Sequence, residues 1–554
     1  MTAAVLLGAM LVFAAVAAAA VGDYAPGWPQ QHRGEQHRHQ QPMRRLSSMP
    51  LLAAAAAPPP PAAVPMALAL NARDFGAQGD NTTDDTAALQ AAIDAAQQQG
   101  RALAVPAGFY RVSQPLFIRW TEDDDCAKPT CPGSHHPLRL FGESMYSTAV
   151  VAAQNFSCVD ESGAVTFLSA FGCAVLSLPA HQQAGVPPWV ENFGKTTTDH
   201  DISHIGFDAN YLARFGVYAP IITRSRLEAV YATKATFAGI LIGNGWCNYL
   251  LQVRCWENTI GIVLINAVNN VNVINSILED NAGPGIVAVG GYTVNLEGNT
   301  IESSGGPAIV ASNIYALNVQ SNYFEDNNCG TNRPNTSHYN LSFVGKGSAA
   351  TDYYPLTSDI ALGVRLPQFW WTRGALGAAD PIHDALSNMT YTTGGLCDGV
   401  TITGNHFTST KSAVLLGAAR SVQVSGNTAY WDNEPSATNQ MALLTTGGNC
   451  SRFFARDISF SSNSASYYYL KRSTGGAPCT LKTHICYMNL VESSLVDDDP
   501  RVLQCEWRAF RNGCRFSSHT WAVGQSYLGH TPARAATTST HMRVATQSRN
   551  RTSR

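Results

Sequence analysis

Three glutamates, Glu279, Glu302 and Glu325, follow one another at intervals of 23 residues. Each comes directly after a large apolar residue, Leu278, Ile301 and Phe324. In a strand that turns the apolar side chain inward, the glutamate must point outward. If each interval is one turn of a repeating structure, the three carboxylates form a column. Like charges so close disfavour joint ionisation, so at least one should hold its proton more tightly than a free glutamate, as a general acid must. Spacings of roughly 5 Å between adjacent repeats and 10 Å between alternate ones bracket those of retaining and inverting glycosidases. Asp280 and Asp326 add charge at the two ends of the strip. Clustered carboxylate oxygens are also what calcium takes, a second chemistry for the same residues. The plain alternative is a solvated acidic face.

The scaffold that would position them is written in a second repeat, apolar-x-apolar-x-x-Asn. It occurs as Ile205/Phe207/Asn210, Val294/Leu296/Asn299, Leu317/Val319/Asn322, Val400/Ile402/Asn405, Val422/Val424/Asn427 and Ile458/Phe460/Asn463. Between the first two copies the slot is read at Ala232, Trp256 and Ser276, giving steps of 22, 24, 20, 23 and 23 residues from Asn210 to Asn322. On this alignment no other coil carries an acid three positions past the slot. Such a period is one turn of a solenoid whose strands stack about 4.8 Å apart. Asn suits a fixed turn, because its amide can bond the same amide one coil on and its backbone tolerates left-handed dihedrals. No Leu-x-x-Leu-x-Leu consensus recurs, which excludes a leucine-rich repeat. The expected fold is an all-β solenoid, a single-stranded right-handed parallel β-helix, with at least five coils over 200–330 and Asn299 stacked on Asn322.

The register breaks between Asn322 and Asn405, which implies an insertion at about 330–397. It holds Tyr353, Tyr354, Phe369, Trp370 and Trp371. Flat aromatic faces there, Trp370 and Trp371 above all, suit sugar rings, or else form the loop's own small core. Cys329 and Cys397 bracket it and are placed to staple its base.

Ahead of the coils, Asn71-Ala-Arg-Asp-Phe-Gly-Ala-Gln-Gly-Asp-Asn-Thr-Thr-Asp-Asp-Thr leads into Ala87-Ala-Leu-Gln-Ala-Ala-Ile-Asp-Ala-Ala and then Val105-Pro-Ala-Gly-Phe-Tyr-Arg-Val. Gly76 and Gly79 allow a tight turn, Asp84 or Asp85 can cap a helix striped by Leu89, Ile93 and Ala96, and a strand should follow at Tyr110–Val112. These 45 or so residues resemble the N-terminal cap of the pectate lyase superfamily, including the rhamnogalacturonase and epimerase-like proteins. The resemblance implies a β-helix closed by a capping helix, and polysaccharide as partner. It also implies two chemistries. Polygalacturonase-like hydrolases carry Asn-Thr-Asp, Asp-Asp, Gly-His-Gly and Arg-Ile-Lys strings, of which only Leu278-Glu-Asp-Asn281 offers a loose analogue here. A pectate lyase needs calcium carboxylates and an Arg or Lys base. Arg254 lies on the outer side of the coil before Glu279 and is the candidate substrate contact, while Arg224, Arg226 and Lys234 lie earlier.

The rest of the chain bounds the setting. With 14% charged residues, 45% hydrophobic ones and a net charge of -3, the 554-residue chain can bury a large core and offers nucleic acid no basic face. Residues 1–22 read as a signal peptide, with Ala18, Ala19 and Ala20 as the cleavage triplet; a signal anchor is the competitor. Residues 23–67 read as a low-complexity linker, 68–515 as the β-helix, and 516–554 as a disordered basic tail. Thirteen cysteines point to disulfides, with Cys126/Cys131, Cys158/Cys173 and Cys247/Cys255 close in sequence. Seven Asn-x-Ser/Thr sequons, at Asn81, Asn155, Asn335, Asn340, Asn388, Asn449 and Asn550, fit export. Neither a Gly-x-Ser-x-Gly elbow nor a phosphate loop occurs. His204 and His406 are many coils apart and read as unrelated surface histidines.

The expectation is therefore a secreted or cell-wall, polysaccharide-cleaving enzyme of pectinase-like type, a glycoside hydrolase using carboxylates without cofactor. A calcium-dependent lyase and a non-catalytic adhesive β-helix are the alternatives. No membrane partner is expected after signal cleavage.

Overall fold

The computed structural model describes residues 69–119, 135–178 apart from 161, 167–168 and 170–171, then 197–327, 358–364, 395–408 and 412–431. It also describes strands at 344–346, 353–355, 442–446, 456–467, 488–490 and 494–496. The chain divides into two units, Met1–Ala63 and Val64–Arg554. The signal, linker and tail segments lie outside the described residues.

The cap begins with helix α1 (Thr86–Gln99), whose Leu89, Ala92, Ile93 and Ala96 are buried at helical spacing. Of the two candidate caps, Asp84 accepts from the Thr86 N–H at 3.1 Å and from its hydroxyl. Asp85 makes no cap bond. Its buried carboxylate instead accepts the backbone N–H groups of Gln78 (2.7 Å) and Gly79 (3.0 Å), tying the preceding loop to the helix start. Gly79 is required there: it has φ +65°, and a Cβ would lie 2.6 Å from the Tyr110 ring. The strand after the loop is Gly108–Val112.

Beyond the cap, parallel pairing builds three sheets from successive segments of each coil. In the first sheet, Ile202, Leu227, Leu250, Val273, Leu296, Val319, Ile402 and Val424 stack inward. In the second, the stack is Phe207, Ala232, Cys255, Leu278, Ile301, Phe324, Phe407 and Ala429. In the third it is Val217, Ile240, Ile262, Ile286, Ile309, Ile360 and Val414. Every one of these side chains is at most 3% exposed, so the core is a column that each coil extends. The solenoid expected from the repeat is present.

Asn299, Asn322, Asn405, Asn427 and Asn463 form the expected ladder. Each Nδ2 donates to the next Oδ1 at 2.8–3.0 Å and also to a strand carbonyl. Each Oδ1 also accepts the backbone N–H one coil back. Below Asn299 the register differs from the one read in the sequence. Ser276 takes the next rung, and Val253 donates its N–H to the Ser276 hydroxyl at 3.2 Å. Pairing of Tyr231 with Arg254 and of Ile205 with Val230 then puts Val230 and Ile205 in the slot, in place of Ala232 and Asn210; Trp256 yields to Val253. The slip arises because apolar alternation also runs through the neighbouring strand, so an apolar pair alone does not define the turn.

The insertion also differs from a single block. Ser358–Leu362 is a strand of the third sheet, paired with Ile309–Ala311 and with Ser412–Leu416. Two excursions, 328–357 and 365–394, therefore flank it. Cys397 starts a first-sheet strand as a free, buried thiol, so no staple joins it to Cys329, which lies outside the described residues. Cys158 and Cys173 are bonded, whereas Cys247 and Cys255 are free, and Cys126 and Cys131 fall outside the described residues.

Candidate active site on the second sheet

Glu279, Glu302 and Glu325 pair directly, coil on coil, with their neighbours Leu278, Ile301 and Phe324 wholly buried. The outward column therefore exists. In the corrected register it continues backward through Trp256 and Thr233 to Asp208, and forward to Thr408. Asp208 is thus an acid at the glutamate position, contrary to the sequence alignment, and Lys234 binds it at 3.1 Å.

Both ends of the short glutamate strands are fixed by amides. One end is the Ser276–Asn299–Asn322 ladder. The other is a ladder the sequence reading missed: Asn258 donates to Asn281 Oδ1 (3.3 Å), and Asn327 Oδ1 accepts the Ser304 N–H (3.2 Å). Asp280 and Asp326 sit between this second ladder and the glutamates with left-handed backbones, φ 52° and 50°. Asp280 accepts from the Trp256 indole at 3.1 Å, and the Asp326 N–H donates to the Thr408 carbonyl at 3.3 Å.

The three carboxylates are not equivalent. Arg254, one coil before Glu279, donates from its guanidinium to the Glu279 carboxylate and to the Tyr146 hydroxyl (3.0 Å). It also lies over the Tyr146 and Tyr231 rings at 5.8 and 5.9 Å. Burial works against the charged guanidinium, but the bonds to Glu279 and Tyr146 outweigh it and raise its pKa. Arg254 is therefore a partner of Glu279. Glu325 accepts the Tyr323 hydroxyl at 2.8 Å. Glu302, between them, has a raised pKa: burial is the first cause, then the charge and hydrogen bond of Glu279 and the charges of Glu325 and Asp280. Burial also pushes the Tyr231 hydroxyl up to about 12.

Beside the glutamate column runs a second outward column: Tyr231, Arg254, Ile277, Thr300, Tyr323, His406 and Thr428. His406 stacks on Tyr323, centroids 5.6 Å apart, and meets the Thr428 hydroxyl at 2.7 Å. It is thus part of this face, while His204 is a left-handed residue earlier in the chain. The correct register would have exposed Tyr231, Tyr323 and His406 in the sequence. Tyr146, which arrives from the cap side, carries no periodic signal. Trp370 and Trp371 lie outside the described residues.

Calcium takes six to eight oxygen ligands. Among the described residues no three His, Cys, Asp or Glu side chains converge on one point, and the nearest carboxylates are engaged by Arg254, Trp256 and Tyr323.

Residues 69–332 match the family described as rhamnogalacturonase A/epimerase, pectate lyase-like. Mannuronan C5-epimerase AlgE1 of Azotobacter vinelandii is 26% identical over 233 residues, 40% of this chain and 16% of that protein. Alginate lyase 7 of the same organism is 59% identical over 44 residues, 8% of this chain and 5% of its own. The chain thus spans only a small part of the curated relatives it matches. The solved A-module of mannuronan C-5 epimerase AlgE4, also from Azotobacter vinelandii, superposes with a TM-score of 0.40 at 14% identity, covering 72% of this chain and 94% of the module. With the parallel coils and the cap alongside it, the family match makes residues 69–332 similar to the pectate lyase-like β-helix family.

Proposed function

We propose that the chain cleaves an extracellular polysaccharide as a glycoside hydrolase, with Glu302 as general acid and Glu279 as nucleophile. The observation that carries the assignment is the difference in surroundings: Glu302 holds its proton above the ordinary carboxylate range, while Glu279 is gripped by Arg254. Carboxylates on adjacent parallel strands, about 4.8 Å apart, match the spacing of retaining glycosidases. Glu302 gives its proton to the glycosidic oxygen as the bond from the anomeric carbon to that oxygen breaks and Glu279 bonds to the carbon. Water, losing a proton to Glu302, then displaces Glu279 and releases the sugar. Arg254 and Tyr146 orient the nucleophile.

A second reading has one observation of its own. The names of the relatives describe chemistry on uronate polymers, and a tyrosine hydroxyl bonded to a guanidinium, Tyr146 with Arg254, suits proton abstraction beside a carboxyl. Incubation with a polysaccharide panel separates the two. New saturated reducing ends support hydrolysis, ultraviolet-absorbing unsaturated ends support a lyase, and retention without product supports an adhesin. In the hydrolase case Glu302→Gln and Glu279→Gln each lose about 10²-fold or more in rate while staying folded. Full activity in both variants removes the column from the mechanism.

A further inference from the structure

The first sheet carries an outward surface that the proposed chemistry does not use. Asn272, Asn295 and Asn318 pair in register on three successive coils, and Tyr249 precedes them in the same column. The Asn295 amide donates to Asn272 Oδ1 at 2.8 Å, and the Asn318 amide to Asn295 Oδ1 at 2.7 Å. Unlike the buried ladder, Asn295 and Asn318 are only partly covered. Along one edge Tyr292 and Tyr315 stack with centroids 5.8 Å apart and planes 21° from parallel, yet remain 40% and 42% exposed. Tyr249 is 41% exposed at the ladder's foot.

Chemistry narrows what such a surface can take. A carboxamide has two N–H donors and an oxygen with two lone pairs. The rungs use one of each at Asn295, which leaves a donor and an acceptor facing outward. Sugar hydroxyls are donor and acceptor at once, and the C–H face of a pyranose suits an open aromatic ring. The ladder repeats about every 4.8 Å, close to the rise of one pyranose unit in an extended chain. From Tyr249 to Gln320 the outward positions of this sheet include no Lys or Arg, and Glu297 is their one acid. Arg226, paired with Tyr249 at the foot of the strip, is held by Asp201 and Glu228, so the strip offers a polyuronate no unpaired cation and admits a neutral chain.

We infer that Tyr249, Tyr292, Tyr315 and the Asn272–Asn295–Asn318 ladder form a second, non-catalytic glycan-binding strip, which holds an uncharged polysaccharide along the coil stack on a sheet other than that of the glutamates. The inference shares with the proposed function only its substrate class.

The test is affinity electrophoresis of the full chain in native gels containing soluble glucomannan or alginate. The parent protein is retarded by glucomannan. Tyr292→Ala with Tyr315→Ala weakens that retardation about tenfold. Asn295→Asp, which keeps the shape and adds charge, weakens it too, and Glu302→Gln leaves it unchanged. The strip is overturned if the parent passes glucomannan unretarded, if only alginate retards it, or if the tyrosine variant binds as the parent does. Loss of retardation in Glu302→Gln alone also overturns it, because the glycan then lies on the glutamates. Tyrosine-dependent retardation with no new reducing ends from any polysaccharide leaves the strip standing and removes the hydrolase.

Discussion

Two columns stand three residues apart along the stack and share the coils of Glu302 and Glu325: the Asn299–Asn322–Asn405 ladder and the Glu279–Glu302–Glu325 column. They share one period and the same parallel strands, yet their physics is opposite. An amide carries donor and acceptor together, so identical copies satisfy one another, and these are buried to within 2%. A carboxylate only accepts, so identical copies repel, and the glutamates remain partly open to water with Arg254 and Tyr323 to offset them. Repetition alone therefore explains the asparagines and not the glutamates. A self-repelling column inside a self-bonding scaffold is not explained by stability, which is the ground for the catalytic role proposed for it.

The largest expected effect falls on the ladder. Asn322→Ala removes the donor to Leu296 and the acceptor of Asn299, leaving buried groups unsatisfied. It should lower stability by about 3 kcal/mol in denaturant titration; a loss near zero would make the ladder incidental. Arg254→Gln should cost about 1 kcal/mol, since the pair with Glu279 is only partly buried, together with a fall in activity. Unchanged rate in that variant would detach Arg254 from the nucleophile.

Glu302→Gln tests the opposite sign. The folded pKa of Glu302 lies above its unfolded value, so its contribution is fully present below the unfolded pKa and is lost as pH rises through the folded one. Compared with the parent, the Gln variant should therefore gain relative stability from about pH 4 upward. The parent's rate should also fall on the alkaline side at a pH above that of an ordinary glutamate. Equal melting profiles of the two proteins at pH 4 and pH 7 would mean that the column does not repel. The smallest effect belongs to Asn281→Ser: in the neighbouring ladder the Ser276 hydroxyl already accepts a backbone N–H one coil back, as Asn281 does from Asn258, so the exchange should cost about 1 kcal/mol, less than Asn322→Ala.

Much of this was legible in the sequence, for a physical reason. The steps from Ser276 to Asn299 and Asn322 are uniform because those coils have no variation in turn length, and there the glutamate column was read in its correct register. Earlier coils fill the slot with Val253, Val230 and Ile205, whose apolar character is shared by every inward position, so the frame slipped and Asp208 was missed. The return of Ser358–Leu362 to the third sheet was hidden because five residues between long excursions carry no turn marker. The pairing of Arg254 with Tyr146 spans 108 residues and belongs to three-dimensional approach alone.

The uninterrupted pairing across the two excursions has a practical side. Phe324 stacks on Phe407 at 4.9 Å and Val319 pairs with Ile402, as if the chain between them were one ordinary turn. A loop's closure entropy grows only with the logarithm of its length, so the scaffold is nearly indifferent to what is spliced in there. The junctions after Asn327 and Val364 are therefore natural grafting ports: foreign segments exchanged at either would ride on an unaltered glutamate face, without retuning the coils that hold it.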